Sequence, residues 1–238
     1  MLALLADVVG GVIEPGDYLP SETELLEQFD VSRLVIREAM RGLEERGLVR
    51  VKHGRGALVV ERDEWNVLDP DVLSALLSGP EGPDVLEEYV EARVILEVAA
   101  AGLAAGRARE SDISSLRAAY AEMERTATRA ARNPSEEPAY HDADIFFHTV
   151  VLRASHNRAL AHMLDPLQKT VRAREPLARP HRRVEVSLPE HKAILEAITA
   201  RDPEGARQAM ATHLATVQEY LAEFANQQKA ARAEGTSV

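Results

Sequence analysis

Residues 20–60 read PSETELLEQFDVSRLVIREAMRGLEERGLVRVKHGRGALVV, and this stretch decides the fold of the first part of the chain. Ser21 followed three residues later by Glu24 is the pattern of a capping box at the start of a short helix. After a tight turn, Ser32 is placed to cap a second helix, predicted over Arg33–Arg46. Two short helices joined by a turn indicate a helix-turn-helix.

The residues after the second helix predict a two-stranded hairpin. Gly47 ends the helix, since glycine is the residue most often found just past a helix C-terminus. Leu48–Val51 and Ala57–Val60 are apolar, β-prone runs, and the segment between them, residues 52–56, has the glycines of a hairpin tip. Helix, turn, helix and hairpin follow one another in the order of a winged helix-turn-helix.

The second helix has one apolar face and one basic face. Its apolar positions recur at helical spacing and predict the buried face: Ile36, Ala39, Met40 and Leu43. Arg33, Arg37 and Arg41 follow at i, i+4 and i+8 on another face, where like charges repel in an isolated helix. A solvated basic face explains them alone about as well as a polyanion does. The capped helix before them and the basic hairpin after them favour DNA binding.

The charge of the chain is distributed unevenly. The net charge is −11, which argues at first against a nucleic-acid partner. Between residues 31 and 60, however, seven Lys and Arg residues stand against three acidic residues, a local charge of +4. Because DNA interacts with the face it meets, a basic stripe on an acidic body is compatible with DNA binding.

Composition excludes several classes of function. The chain has no cysteine, so disulfides, zinc ribbons and thiol catalysis are excluded, and a metal site must use histidine and carboxylate ligands. No apolar run is long enough to span a bilayer, and the stretch at the start of the sequence, residues 1–17, is too short and too acidic for a signal peptide. We expect a cytoplasmic protein with no membrane partner.

The rest of the chain predicts helices almost without interruption. We therefore expect a mainly α protein, with a winged helix-turn-helix over residues 1–62, a linker and first helix over 63–80, an all-helical bundle over 81–228 and a flexible tail over 229–238. The predicted helices are Pro70–Leu77, Asp84–Ala105, Glu110–Ala131, Tyr140–Ala154, Arg158–Ala173, Pro189–Ala200 and Pro203–Ala225.

Polar residues on the inward stripes of these helices are the candidates for chemistry. Asp144 and His148 lie one turn apart on one helix face, and His191 and His213 each continue an apolar stripe of a later helix. A buried aspartate is costly unless it is paired or ligates a cation. Each histidine alone is explained as well by a hydrogen-bonded core residue, and spacing does not establish that the four converge. Together they suit a divalent transition metal with open positions.

The first part of the chain resembles the GntR superfamily of regulators. The matching residues are Pro15-Gly16, Leu19-Pro20-Ser21-Glu22, Val31-Ser32-Arg33, Arg37-Glu38-Ala39, Leu43, Gly47-Leu48-Val49 and His53-Gly54-Arg55-Gly56. This resemblance implies that the second helix enters the major groove of double-stranded DNA, with Ser32, Arg33 and Arg37 on phosphates and bases and His53 and Gly54 at the wing tip. Thr23 and Leu34 depart from the residues common at these DNA-facing positions, which affects base preference.

The second part is similar to the FCD sensor domain found in the FadR subgroup of that superfamily. The matching pieces are Glu91-x-Arg93, Leu96-Glu97, Asp144-x-x-Phe147-His148, Ala154-Ser155-x-Asn157, Glu190-His191-x-x-Ile194-Leu195 and Met210-x-x-His213-Leu214. The resemblance implies that a divalent transition metal (zinc, nickel or manganese) is bound by Asp144, His148, His191 and His213. It further implies that Arg93, which also points inward, binds an effector carboxylate rather than only Glu97 one turn on. Asn157 and Arg172 are additional pocket candidates.

These features predict a homodimer that reads an inverted repeat and whose affinity for DNA changes when a small organic acid binds; we expect a repressor released by its ligand, with an activator as the alternative. The linker around Trp65-Asn66-Val67-Leu68-Asp69 resembles that of sugar-acid (galactonate-type) repressors, which favours an aldonate or related hydroxy acid. A metal-dependent hydrolase with an accessory nucleic-acid-binding domain is the enzymatic alternative, although no HExxH motif or evident general base is present. An RNA-binding winged helix is the second alternative, and the scarcity of aromatic residues argues against it.

Overall fold

The computed structural model describes residues 1–52, 54–164 and 184–235. The chain divides into two compact units, Met1–Val85 and Leu86–Val238. Residues 63–80, predicted as a linker and first helix, fall in the first unit by this division. No helix in the described ranges has the length and apolar character needed to cross a membrane.

The first unit has the helix-turn-helix and hairpin order that the sequence predicts. Its hairpin is antiparallel and pairs Val49 with Val59. The sequence analysis did not predict the first helix of the chain. The elements are α1 (Leu2–Val9), α2 (Glu22–Phe29), α3 (Arg33–Glu45), β1 (Val49–Lys52), β2 (Gly56–Val59) and α4 (Pro70–Ser78).

Local chemistry explains where these helices begin. The Ser21 hydroxyl accepts from the backbone N–H of Glu24, and the Glu24 carboxylate accepts from the backbone N–H of Ser21, so the predicted capping box is present. Ser32 stands at the N-cap position of α3, but its side chain makes no capping hydrogen bond, which corrects the prediction that it caps the helix. The Ser32 hydroxyl is thereby left exposed on the surface at the start of α3.

Gly47 turns the chain from α3 into the hairpin. Its φ of +70° lies in the left-handed region, and a Cβ atom on it would come within 2.7 Å of the Glu64 carbonyl oxygen. Only glycine meets both conditions without strain. The turn delivers Leu48 and Val49 into the core of the unit, where Leu25 and Leu43 are also buried.

Trp65 joins the segment after the hairpin to the same core. The indole is 5% exposed and its Nε1–H donates to the Val60 carbonyl oxygen at 3.1 Å. At the end of α3, the Arg46 guanidinium donates to Asp69 and Asp71 at 3.1 and 2.7 Å, and Asp69 caps α4. The end of α3 is therefore tied to the start of α4 within this unit.

The second unit is built of helices throughout its described part, as predicted. They are α5 (Gly82–Arg107), α6 (Glu110–Ala130), α7 (Glu137–Ala154), α8 (residues 158–164), α9 (Val184–Thr199) and α10 (Pro203–Gly235). The predicted continuation of α8 to Ala173 lies outside the described residues. Helices α7 and α9 pack on α6, and α10 packs along α9.

The start of α9 and the end of α10 differ from the sequence prediction. Helix α9 begins at Val184, so Pro189 lies inside it rather than in its first turn, where proline is common. Helix α10 continues to Gly235, into the segment predicted as a tail.

At the start of α6, burial alone would raise the pKa of Asp112. Hydrogen bonds from the Arg109 backbone N–H and from His156 outweigh that effect and hold the pKa of Asp112 below its ordinary range.

Candidate metal centre and DNA-binding face

Four buried side chains of the second unit converge on one point. Asp144 and His148 come from α7, His191 from α9 and His213 from α10. One candidate ligand atom from each residue lies within 4.8 Å of the others. The three imidazoles are completely buried and Asp144 is 5% exposed. The convergence that the sequence left open is therefore present in the fold.

Each imidazole is oriented from outside the cluster through its Nδ1 atom. The Nδ1 of His148 contacts a carboxylate oxygen of Glu97, and the Nδ1 of His213 lies 2.9 Å from Oε2 of Glu190. The Nδ1 of His191 lies 2.7 Å from the carbonyl oxygen of Ser187, one turn earlier in α9. Carbonyl and carboxylate oxygens accept, so Nδ1 is the donor in each of these contacts, which leaves Nε2 of each ring as the candidate ligand atom.

The spacing of the inner atoms matches a first coordination shell. The Nε2 atoms of His148 and His191 are 3.2 Å apart, and Nε2 of His191 is 2.9 Å from Oδ1 of Asp144. Ligands about 2.0–2.1 Å from a zinc ion are separated from one another by about 2.9–3.4 Å in tetrahedral or octahedral arrangements. Two lone pairs facing each other at such distances repel unless a proton or a cation lies between them. The donor set therefore fits a divalent transition metal.

The sequence analysis did not identify the residues that orient these ligands. Glu97 appeared only as a possible partner of Arg93, and Glu190 only as a neighbour of a ligand. Glu190 also accepts a hydrogen bond from the Thr216 hydroxyl at 2.9 Å, which joins α9 to α10 beside His213. Ser187, one turn before His191, was the one signal available, because residues at i and i+4 share a helix face.

The two predicted effector-binding residues that the structure describes lie in different places. Arg93 is 2% exposed and its Nε donates to Glu97 at 2.6 Å, so the partner one turn away is present. Asn157 lines a separate cavity of about 380 Å³, beside Arg153 and Arg158, and no described contact joins it to the metal-ligand candidates. Arg172 lies outside the described residues. Among the described candidates, Arg93 is the one that contacts the surroundings of the cluster.

The predicted DNA-binding face of α3 is exposed. Arg33, Arg37 and Arg41 all face solvent, as does Thr23 on α2. Arg37 is 69% exposed at its side chain and forms an ion pair with Glu22 at 3.3 Å. Exposed ion pairs of this kind contribute about 0–1 kcal/mol, so a phosphate or base can replace the carboxylate.

Two apolar side chains lie exposed beside the arginines at the start of α3. Leu34 is 69% and Val35 is 49% exposed, although exposed aliphatic groups gain nothing from water. Apolar contact with the thymine methyl group is one way in which a helix reads the major groove. At the wing, Gly54 has a φ of +73° and open space around it, which lets the tip approach another molecule closely. His53 lies outside the described residues.

A winged helix-turn-helix with exposed arginines, followed by an all-helical unit, points to the class of DNA-binding transcription regulators. Two family models match the chain: "Bacterial regulatory proteins, gntR family" over residues 2–59 and "FCD domain" over residues 88–216. The chain belongs to the GntR family of regulators and carries the FCD domain. The members of this family are transcription regulators and not enzymes, so the hydrolase alternative is wrong.

Known relatives cover nearly the whole chain. The galactonate operon transcriptional repressor of Escherichia coli (strain K12) is 35% identical over 227 residues, spanning 94% of this chain and 96% of the repressor. The Uxu operon transcriptional regulator of the same organism is 33% identical, spanning 89% of this chain and 81% of that protein. The solved structure of a Streptococcus agalactiae GntR has a TM-score of 0.54 at 24% identity, covers 92% of this chain and 99% of that one, and supports the fold alone.

Proposed function

We propose that this regulator is a homodimeric repressor whose affinity for an inverted-repeat operator falls when a small hydroxy acid binds at a divalent cation in the FCD domain. The observation that carries the sensing half is the arrangement of the three imidazoles. Each donates its Nδ1–H outward, and the remaining nitrogens meet Asp144 in a buried cluster. A stable core needs no such arrangement, because burying one carboxylate among imidazoles is costly.

Asp144, His148, His191 and His213 would hold the ion, which we propose to be zinc, nickel or manganese. A bound divalent ion would supply a Lewis-acidic site with room for a carboxylate or hydroxyl oxygen of the effector. Arg93 lies next to this cluster through Glu97, and its guanidinium is suited to bind a carboxylate. The domain would therefore present a divalent metal ion and a guanidinium group to the same acidic effector.

The chemical class of the effector rests on the relatives. One relative named above is a repressor of a galactonate operon, and galactonate is a hydroxy acid. Such a molecule has both the carboxylate that Arg93 prefers and the hydroxyl oxygens that a divalent cation accepts. We infer an aldonate or a related hydroxy acid as the effector of this chain.

DNA binding is assigned to the exposed start of α3 and the wing. Ser32, Arg33 and Arg37 would contact phosphates and base edges, and arginine at a helix N-terminus is suited to the O6 and N7 atoms of guanine. Thr23 and Leu34 would adjust base preference, and the wing tip at His53 and Gly54 would reach the minor groove. Two copies of this surface, related by a two-fold axis, read an inverted repeat.

The effector acts if it binds the two DNA-binding states of the dimer with different affinity. A ligand that binds both states equally shifts nothing, however tightly it binds. The proposal therefore predicts reciprocity: operator DNA must weaken effector binding by the same factor by which the effector weakens operator binding.

The test begins with an operator selected from a random duplex library and measured by fluorescence anisotropy. Metal-loaded protein is titrated with D-galactonate, D-gluconate and L-lactate, and we expect at least one to weaken operator binding several-fold. In the absence of ligand, Arg37→Ala should lose specific binding, whereas Arg117→Ala, which changes an exposed arginine of the second unit, should bind as the wild type does. A wild-type protein that ignores every duplex at low salt would overturn the proposal, and indifference to all the acids would overturn the sensing half alone.

A further inference from the structure

A buried ion pair on α5 contacts the candidate metal centre from outside. Arg93 and Glu97 are 2% and 1% exposed, and the Nε of the arginine lies 2.6 Å from Oε1 of the glutamate. The other oxygen of the same carboxylate, Oε2, accepts from Nδ1 of His148. One carboxylate thus connects a guanidinium on α5 with a candidate metal ligand on α7.

Stability does not account for this pair. Arginine placed one turn before glutamate is the less favourable order for a helix, since the reverse order complements the helix dipole. A buried ion pair costs more in desolvation than it returns unless its geometry is excellent, and apolar residues of similar size often stabilise a protein more. Two buried charges in an unfavourable order are better explained by what they do for His148.

We propose that Glu97 is a positioning residue for the cation, and that Arg93 acts on the cation through Glu97. The inference rests on the metal site of the proposed function. The carboxylate fixes the proton on Nδ1 of His148, turns Nε2 toward the cluster and raises the basicity of Nε2, so that the imidazole would bind a metal ion more strongly. The guanidinium holds the carboxylate in place. An acidic effector that binds Arg93 therefore also changes how Glu97 holds His148, a candidate metal ligand.

The test measures the affinity of the full-length protein for Zn²⁺ in competition with a chelating dye. Glu97→Gln keeps the size of the side chain but removes its charge, and we expect the Kd for Zn²⁺ to rise about 10- to 100-fold, as is typical for residues that orient metal ligands. Glu196→Gln is the matched control, because Glu196 lies exposed on α9 and pairs only loosely with Lys192, at 3.8 Å. We expect the control to bind Zn²⁺ as the wild type does.

The second variant tests whether Arg93 acts through Glu97. Arg93→Lys keeps the positive charge and its long-range effect on the ion, but lysine has no donor at the position of Nε. We expect the Kd for Zn²⁺ to rise about fivefold in the wild-type background and less than about twofold when Glu97 is already glutamine, because the effects of two substitutions are not additive when one residue acts through the other. Visible absorption of the Co²⁺-loaded proteins should shift in Glu97→Gln and stay unchanged in the control.

The outcomes separate this inference from the proposed function. If the wild type binds Zn²⁺ tightly and Glu97→Gln binds it equally well with an unchanged Co²⁺ spectrum, the inference is wrong and the metal site stands. If the effects of Arg93→Lys and Glu97→Gln simply add, Arg93 does not act through Glu97. If the wild type fails to bind Zn²⁺, Ni²⁺ and Mn²⁺, the metal site itself is wrong. Should Glu97→Gln fail to fold, Arg93→Lys decides the question: a weaker Kd for Zn²⁺ and a shifted Co²⁺ spectrum support the inference, and wild-type values of both overturn it.

Discussion

Replacing Asp144 by asparagine separates a metal ligand from an ordinary buried acid. The amide has the size and shape of the carboxylate but lacks its charge, and Oδ1 of Asp144 lies 2.9 Å from Nε2 of His191. A residue that only orients a ligand alters metal affinity by about 10- to 100-fold, so loss of a direct ligand should cost about 100-fold or more. If the site held no ion, the substitution would instead stabilise the fold, because a charged carboxylate would no longer be buried.

The magnitude follows from binding linkage. At a Zn²⁺ concentration of about 100 times the wild-type Kd, the ion stabilises the folded wild type by about 2.7 kcal/mol, and a variant that binds about 100-fold more weakly gains about 0.4 kcal/mol. For a unit of this size, 1 kcal/mol shifts the melting temperature by about 2–4 °C. We therefore expect Zn²⁺ to raise the Tm by roughly 5–11 °C in the wild type and by about 1–2 °C in Asp144→Asn.

The assay is scanning calorimetry of chelator-dialysed protein, with and without Zn²⁺, following the transition of the helical unit. Asp142→Asn provides the control, because this aspartate lies on the same helix two residues earlier and is exposed. Its Zn²⁺-dependent gain in Tm should equal that of the wild type. Equal gains in Asp144→Asn and the wild type would refute the assignment of Asp144 as a ligand.

Three further predictions concern other parts of the chain. Glu22→Gln should tighten operator binding at low salt by about 2- to 5-fold in anisotropy titrations, because Arg37 then needs no release from a carboxylate, and the gain should shrink as salt rises. Gly47→Ala should lower the free energy of unfolding by about 1–3 kcal/mol in urea, whereas Gly106→Ala, with open space around it, should not destabilise. Asp112→Asn should lower the Tm at pH 7, and the difference should vanish as the pH falls through the depressed pKa of Asp112, because the carboxylate stabilises the fold only when it is charged.

Local signals in the sequence predicted the elements of the first unit well. The capping box at Ser21 and Glu24 and the turn at Gly47 depend on residues close in the chain, and both are present. The capping role of Ser32 was wrong because an N-cap position does not oblige the hydroxyl to accept a hydrogen bond when it lies exposed. Helix α1 was missed because its short apolar run has neither a cap nor a basic last turn.

The sequence predicted the four candidate ligands that converge in the fold, but not the residues around them. His148, His191 and His213 could be assigned to inward faces because helical periodicity is a local property. The roles of Glu97 and Glu190 depend on which helices become neighbours, and no spacing within one helix carries that information. Pro189 misplaced the start of α9 for a related reason, since proline favours a first turn but tertiary packing holds it inside a helix here.

The acidic character of the chain bears on how it selects DNA. Three exposed arginines of α3 and β1 are already paired with carboxylates of the first unit: Arg37 with Glu22 at 3.3 Å, Arg41 with Glu45 at 2.9 Å and Arg50 with Glu64 at 2.5 Å. Each exposed pair is weak, so a phosphate in the right position can replace its carboxylate. We expect the rest of the chain to repel a duplex, because the whole chain has a net charge of −11 although residues 31–60 contribute +4. We therefore expect discrimination to come from a difference between two poses: the correct one would exchange several carboxylates for phosphates at once, whereas an incorrect one would leave the acidic groups facing the DNA.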